Sequence, residues 1–446
     1  MFQVTIALPS GKRTSVTVAE SSKVADVKLL AQQQFQQGFL RLITAWGYVL
    51  SDLEESVEAA ELEEGDHLTA IAQQARLAAT GSAFALWIYG GDKILTWGSA
   101  YNGGRSTSIQ KKLKNVQQVQ ATLHAFAAVL ADGSVVTWGS HRCGGDSSFV
   151  SDQLRGVQRV EATAGAFAAI LKDGSVVTWG APYLGGDSSE VQDQLKNVRQ
   201  IQGSLQAFAA VLENGSVVTW GSHRYGGDSS KVQPELFLVR QLKASPFAFA
   251  AILADGSVAT WGDPDYGGDS SLVQDQLKNV QEIQGTRFAF AAILADGSVV
   301  TWGDAERGGD SSEVQDQLRN VMQIQATNTA FAAIRADGSV VTWGFHFPDQ
   351  GGDSSAVRDQ LRNVRQVQGS HGAFAAILAD GSVVTWGDPN EGGDSFDVQD
   401  QLRNVQQIQA SHRAFAAILA DGSLVTWGNR HDGSDHSAVR DQLAQL

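Results

Sequence analysis

Residues able to do chemistry are few and far apart in this sequence. The one cysteine, Cys143, has no base beside it, so a Cys–His nucleophile is not expected. Of nine histidines, seven (His124, His141, His223, His346, His371, His412 and His431) fall in two recurrent loops. They are spread along the chain without the spacing that gathers metal ligands. Residues 303–308 have the glycine spacing of a phosphate-binding loop, but Gly309 stands where its lysine would be. The dinucleotide glycine pattern, His-Glu-x-x-His and Gly-x-Ser-x-Gly are all absent. A recurring Gly-Gly-Asp offers a single carboxylate where calcium takes roughly six to eight oxygens, so it reads as a turn. The expectation is a protein without catalytic residues, metal or cofactor, and not an enzyme.

What positions these residues is a repeat. Thr-Trp-Gly occurs nine times, with tryptophans at 97, 138, 179, 220, 261, 302, 343, 386 and 427, a period of 41 broken once by a spacing of 43. Such a period marks a repeat architecture. In the unit around Trp302, residues 280–284 form a first strand, bulged or strongly twisted because its apolar residues are three apart. Residues 290–294 form a second strand and 298–303 a third. Asp296-Gly297 joins the last two in what reads as a type I′ hairpin turn, with positive φ at both central residues. Residues 314–318 leave two readings open, a helical turn or a short edge strand. Each hairpin is apolar on both faces, so neighbouring units must cover it, and the tryptophan row reads as core.

The run 289–303 resembles the regulator-of-chromosome-condensation repeat, with a small-residue strand, an acidic-Gly turn and a strand ending in Trp-Gly. The resemblance spans roughly residues 80–446. It implies a β-propeller of four-stranded blades, although that family's repeat is longer and its blades fewer. The nine units here predict either a closed ring or an open β-solenoid of stacked hairpins. Only residues 76–79 offer a weak first strand ahead of the first hairpin, and the chain stops where a further first strand would begin. That offset fits a ring in which the C-terminal tail meets the first unit.

Residues 1–75 carry no repeat motif and form a separate domain ahead of the repeats at 76–446. Strands are expected near 1–8, 13–18, 39–43 and 67–71. A helix over 22–35 carries the apolar stripe Val24, Val27, Ala31 and Phe35. This order resembles a ubiquitin-like β-grasp domain, an α+β fold. The resemblance implies a partner-binding patch at Leu8, Ile43 and Ile71, and an adaptor role in the ubiquitin pathway, since HECT-type ligases also carry such propellers. Its second implication is a guanine-nucleotide exchange factor for a Ran-type small GTPase.

The chain has 446 residues, with Lys+Arg 33 against Asp+Glu 48, a net charge of −15. That acidity argues against nucleic acid as a partner and for a basic protein. No apolar run approaches a membrane span, and the N-terminus lacks the pattern of a secretory signal. A monomer in the cytoplasm or nucleus is expected. Strands and turns barely change between units, whereas two loops change almost completely. One follows Trp-Gly and the other precedes the Phe-Ala-Ala strand. In an antiparallel meander both lie at one end, opposite the Asp-Gly turns. Recognition tends to sit on loops held by a rigid scaffold, so the candidate partner-binding residues are Arg142, Tyr183, Arg224, Tyr225, Tyr266, Arg307, Phe345, Phe347 and Arg413.

Overall fold

The structure, a computed structural model, describes residues 1–345, 350–440 and 442–443. It is mainly β. In the N-terminal domain the strands are β1 (Phe2–Ala7), β2 (Arg13–Val18), β3 (Leu40–Ile43) and β4 (His67–Ala72), and the helix is α1 (Val24–Phe35). The sheet order is β2-β1-β4-β3, with β1 and β4 parallel and the other pairs antiparallel. The alternating residues Val4, Ile6, Leu42, Leu68 and Ala70 face Val27, Ala31 and Phe35 of the helix and form one core.

Nine three-stranded antiparallel sheets follow, each in chain order. In the unit around Trp302 the strands are Val280–Gly285, Ala289–Leu294 and Val299–Gly303. The expected bulge lies in the first strand, where the register shifts between Val280 and Glu282. Phe290 and Trp302 pair across the hairpin and stack at 5.3 Å. The first five residues of the middle strand are all buried, as a hairpin covered on both faces requires.

Two local expectations are corrected. The last segment takes the helical of its two readings, as a short 3₁₀ helix, Gln315–Gln317, so the sheets have three strands and not the four that the resemblance implies. Side chains hold it in place: Ser311 Oγ donates to Gln315 Oε1 (2.8 Å), whose amide nitrogen donates to Val299 O (3.0 Å). With its contacts made by side chains, the segment has no backbone ladder to join. The hairpin turn is also not type I′. Gly297 alone has positive φ (+77°), while Asp296 stays in the ordinary region and accepts from Ser298 N (2.9 Å) and Oγ (2.6 Å). This is a type I turn closed by a left-handed glycine. A side chain at Gly297 would also lie 2.9 Å from Asn320 Cα of the next unit.

Neighbouring units are joined by repeated links. Each Trp-Gly indole donates to a glycine carbonyl of the unit before it, as Trp302 Nε1 does to Gly267 O (3.0 Å). The same links connect the ninth unit to the first. Trp97 Nε1 donates to Gly433 O (3.0 Å), and Leu77, Phe84 and Trp97 share a core with Ala414, Ile418 and Leu424. At one end a belt of backbone bonds passes from Gly81 to Leu123, Ala164, Leu205 and Pro246, resumes from Arg287 to Asn328, His371 and His412, and returns to Gly81. The link from residue 246 to 287 is missing because proline has no N–H to donate.

The N-terminal domain docks on the opposite end. Gly38 N donates to Ala420 O (2.7 Å), and Gly38 Cα lies against Gly422 much as Asn320 Cα lies against Gly297. A side chain at Gly38 would come within 2.2 Å of Gly422 Cα, so the approach requires two glycines. Phe39, beside it, is buried with Leu77, Leu86 and Ile418 of the first and ninth units.

Candidate partner-binding face

The loop after Trp-Gly turns through a single 3₁₀ turn, for example His223–Tyr225, Pro264–Tyr266 or Ala305–Arg307. The loop before each middle strand is fixed by a Ser or Thr. Thr286 Oγ1 accepts from Ala289 N (2.9 Å) and donates to Arg307 O (3.3 Å), which ties the two variable loops of one unit together. Both loops therefore lie at the same end of the sheets, as the meander geometry requires. The hydroxyl is constant because it satisfies buried backbone groups, and the residues between these anchors are free to vary.

In three successive units these loops bring aromatic rings into contact. Tyr225 stacks on Phe247 (5.1 Å), Phe247 meets Tyr266 (5.0 Å) and Phe288 (5.9 Å), and Tyr266 meets Phe288 edge-on (5.1 Å). The guanidinium of Arg287 lies over Phe247 (5.2 Å) and Phe288 (5.6 Å), and that of Arg307 over Phe288 (4.8 Å). Arg287 Nε is buried without an acceptor among the described residues. Arg307 pairs with Asp304 (2.6 Å), and exposed Arg224 pairs with the buried carboxylate of Asp263 (3.1 Å). The row is thus a packed aromatic surface with three arginines, the composition found at interface hot spots. It sits where the backbone belt is interrupted at Pro246.

Of the residues singled out from sequence, Arg224, Tyr225, Tyr266 and Arg307 come together here. Arg142 and Tyr183 are exposed on the same kind of loop, but no ring contact joins Tyr183 to this row. Arg413 belongs to a different cluster, with Glu391 (3.4 Å) and Asp432 (4.0 Å). There His371 bonds the buried Glu391 (3.1 Å) and stacks on His412 (5.0 Å), whose pKa is lowered first by burial and then by His371. Phe345 is partly buried, and Phe347 lies outside the described residues. In the N-terminal domain the three-residue patch does not form. Leu8 is buried in the core, while Ile43 is half-buried and Ile71 exposed on the other face of the sheet. Leu8 shares the inward phase of Val4 and Ile6, and a shift of one residue changes the face.

Sequence reasoning named the loops of Phe247, Arg287 and Phe288 but not these residues as members of the site. A signal for them was present, because Tyr225 and Tyr266, like Phe247 and Phe288, are 41 residues apart and so recur at one position of the unit. Among the described residues no group of three or more His, Cys, Asp or Glu could hold a metal ion. Nor is any described helix long and apolar enough to cross a membrane.

No protein-family model matches this sequence, and no curated protein sequence does either. Several solved structures match in part. Yeast RCC1 (Prp20), in its complex with Kap60, is 15% identical with a TM-score of 0.43, over 76% of this chain and 88% of that one. The computationally designed protein Ika8 is 14% identical with a TM-score of 0.35, over 70% and 95%. A ubiquitin-like domain from Arabidopsis thaliana is 19% identical with a TM-score of 0.15, over 16% of this chain and 76% of that one. At these identities and TM-scores the matches assign no family and no function.

Proposed function

We propose that this protein is a non-enzymatic scaffold: nine three-stranded blades closed into a propeller-like ring that presents its variable-loop face to a protein partner. The bonds from His412 to Gly81 and from Trp97 to Gly433 support closure. The single observation that carries the binding role is the row of Tyr225, Phe247, Tyr266 and Phe288 with Arg287 and Arg307. Aromatic side chains there offer large rigid surface at little entropic cost, and the arginines are already ordered against them. The ubiquitin-like sheet order and helix of the N-terminal domain favour a partner in the ubiquitin pathway. The net charge of −15 favours a basic partner surface. The test is a matched capture from cell extract with the wild-type chain and with Tyr266→Ala/Phe288→Ala. The same proteins should be lost with the double variant and kept with Asp255→Ala at the far turn. Equal recovery with all three chains contradicts the proposal.

A further inference from the structure

A cavity of about 990 Å³ lies between the N-terminal domain and the first repeat unit, lined by Lys28, Arg41 and Leu50 on one side and Ile88, Gly91 and Lys93 on the other. Lys28 projects from α1 into this space instead of the domain core. It is only 5% exposed, and its ammonium makes no hydrogen bond or ion pair with any described residue. A buried lysine is ordinarily paired, because an uncompensated charge in a low-dielectric site is costly. Here the charges that bear on it are two more cations, Lys93 and Arg41.

Three carboxylates also line the cavity, and none is bonded to Lys28. Glu54 pairs with Lys23 (2.5 Å), Asp52 accepts from Glu54 N (3.1 Å), and Asp92 accepts from Asn115 N (2.7 Å). None of them offsets Lys28. Burial foremost, then Lys93 and Arg41, lower its pKa to about 8, so the ammonium is still mostly charged at neutral pH.

We propose that this interdomain cavity is an anion site for a phosphate-class oxyanion, held by Lys28, Arg41 and Lys93. Three cations lining one cavity suit a doubly charged tetrahedral ligand, and the cavity has room for more than the phosphoryl group itself. Arg41 is also held in place, since the Gln73 side-chain oxygen, in its favoured orientation, accepts from Arg41 Nε at 3.2 Å.

The test is calorimetric titration of the full chain with inorganic phosphate and, in a second arm, with a phosphoserine peptide. Tighter binding of the peptide assigns the site to a phosphorylated partner, and equal binding to a free anion. The expected result is saturable binding to the wild type, weakened about tenfold or more by Lys28→Met and by Lys93→Glu. Lys93 is exposed, so its variant reads binding without a folding question. Affinity should fall as pH rises above about 8, and that dependence should vanish in Lys28→Met. No saturable binding of either probe at about 10 mM, or wild-type affinity in either variant, overturns the proposal.

Discussion

The two ends of the repeat units use their connections differently. At the turn end each Asp-Gly hairpin touches the backbone of the next unit: Gly297 meets Asn320, Gly338 meets Asn363, and Gly422 meets Gly38 of the N-terminal domain. Little can change there without moving a neighbour. At the loop end a Ser or Thr hydroxyl and a backbone belt carry the constant contacts. The residues between them differ from unit to unit. The difference explains why one end is written almost identically in every unit and the other is rewritten each time. It also locates the site proposed for recognition, on the end where variation costs the scaffold least.

Breaking the shared core should affect both ends and gives the largest effect. Trp302→Ala removes a buried indole and its bond to Gly267, and should destabilise by about 3–5 kcal/mol in denaturant unfolding. Next, a substitution confined to the turn end should lower stability and leave binding intact. Gly297→Ala forces a left-handed alanine, about 1–2 kcal/mol, and adds a contact with Asn320 that must relax. Gly38→Ala should loosen the N-terminal domain from the ninth unit, seen as faster amide exchange at Gly38 and Phe39 with little change in the repeats.

The loop end should behave in the opposite way. Phe288→Ala should weaken partner binding by about 2 kcal/mol, near 30-fold, as hot-spot truncations do. The smallest effect concerns acidity. The turn aspartates Asp132, Asp173, Asp255, Asp296, Asp337 and Asp380 have lowered pKa values because the following serine hydroxyl and backbone N–H bond their carboxylates. Their contribution is present above the unfolded value of 3.8 and is lost as pH falls through the lower folded values. Thermal midpoints should therefore drop below about pH 4, and Asp296→Asn should lessen the drop.

The repeat was legible because its signals are local. The 41-residue period, the Trp-Gly ends, the bulged first strand and the helix stripe Val24, Val27, Ala31 and Phe35 all follow from spacing. Where two local solutions share one sequence signal, spacing alone does not choose between them. Asp-Gly suits a type I′ turn and also a type I turn with a left-handed glycine, and the Ser298 contacts to Asp296 select the second. The 3₁₀ segment at Gln315–Gln317 depends on bonds to Ser311 and Val299 that no periodicity displays. The aromatic row was half legible. Tyr225, Tyr266 and Arg307 stood out as variable-loop residues, but nothing in the spacing shows that Phe247 and Phe288 of the neighbouring loops meet them. The face of Leu8 was misjudged for want of a single residue of strand phase.

The division of labour between the two ends is tested most directly by measuring binding and stability on the same pair of variants. For Phe288→Ala and Gly297→Ala, the retained fraction of captured partner should be set beside the change in unfolding free energy. The account predicts a crossed result. Phe288→Ala loses most of the partner with the smaller loss of stability, and Gly297→Ala keeps the partner with the larger loss. If binding falls in proportion to stability in both variants, the loop face has no recognition role of its own.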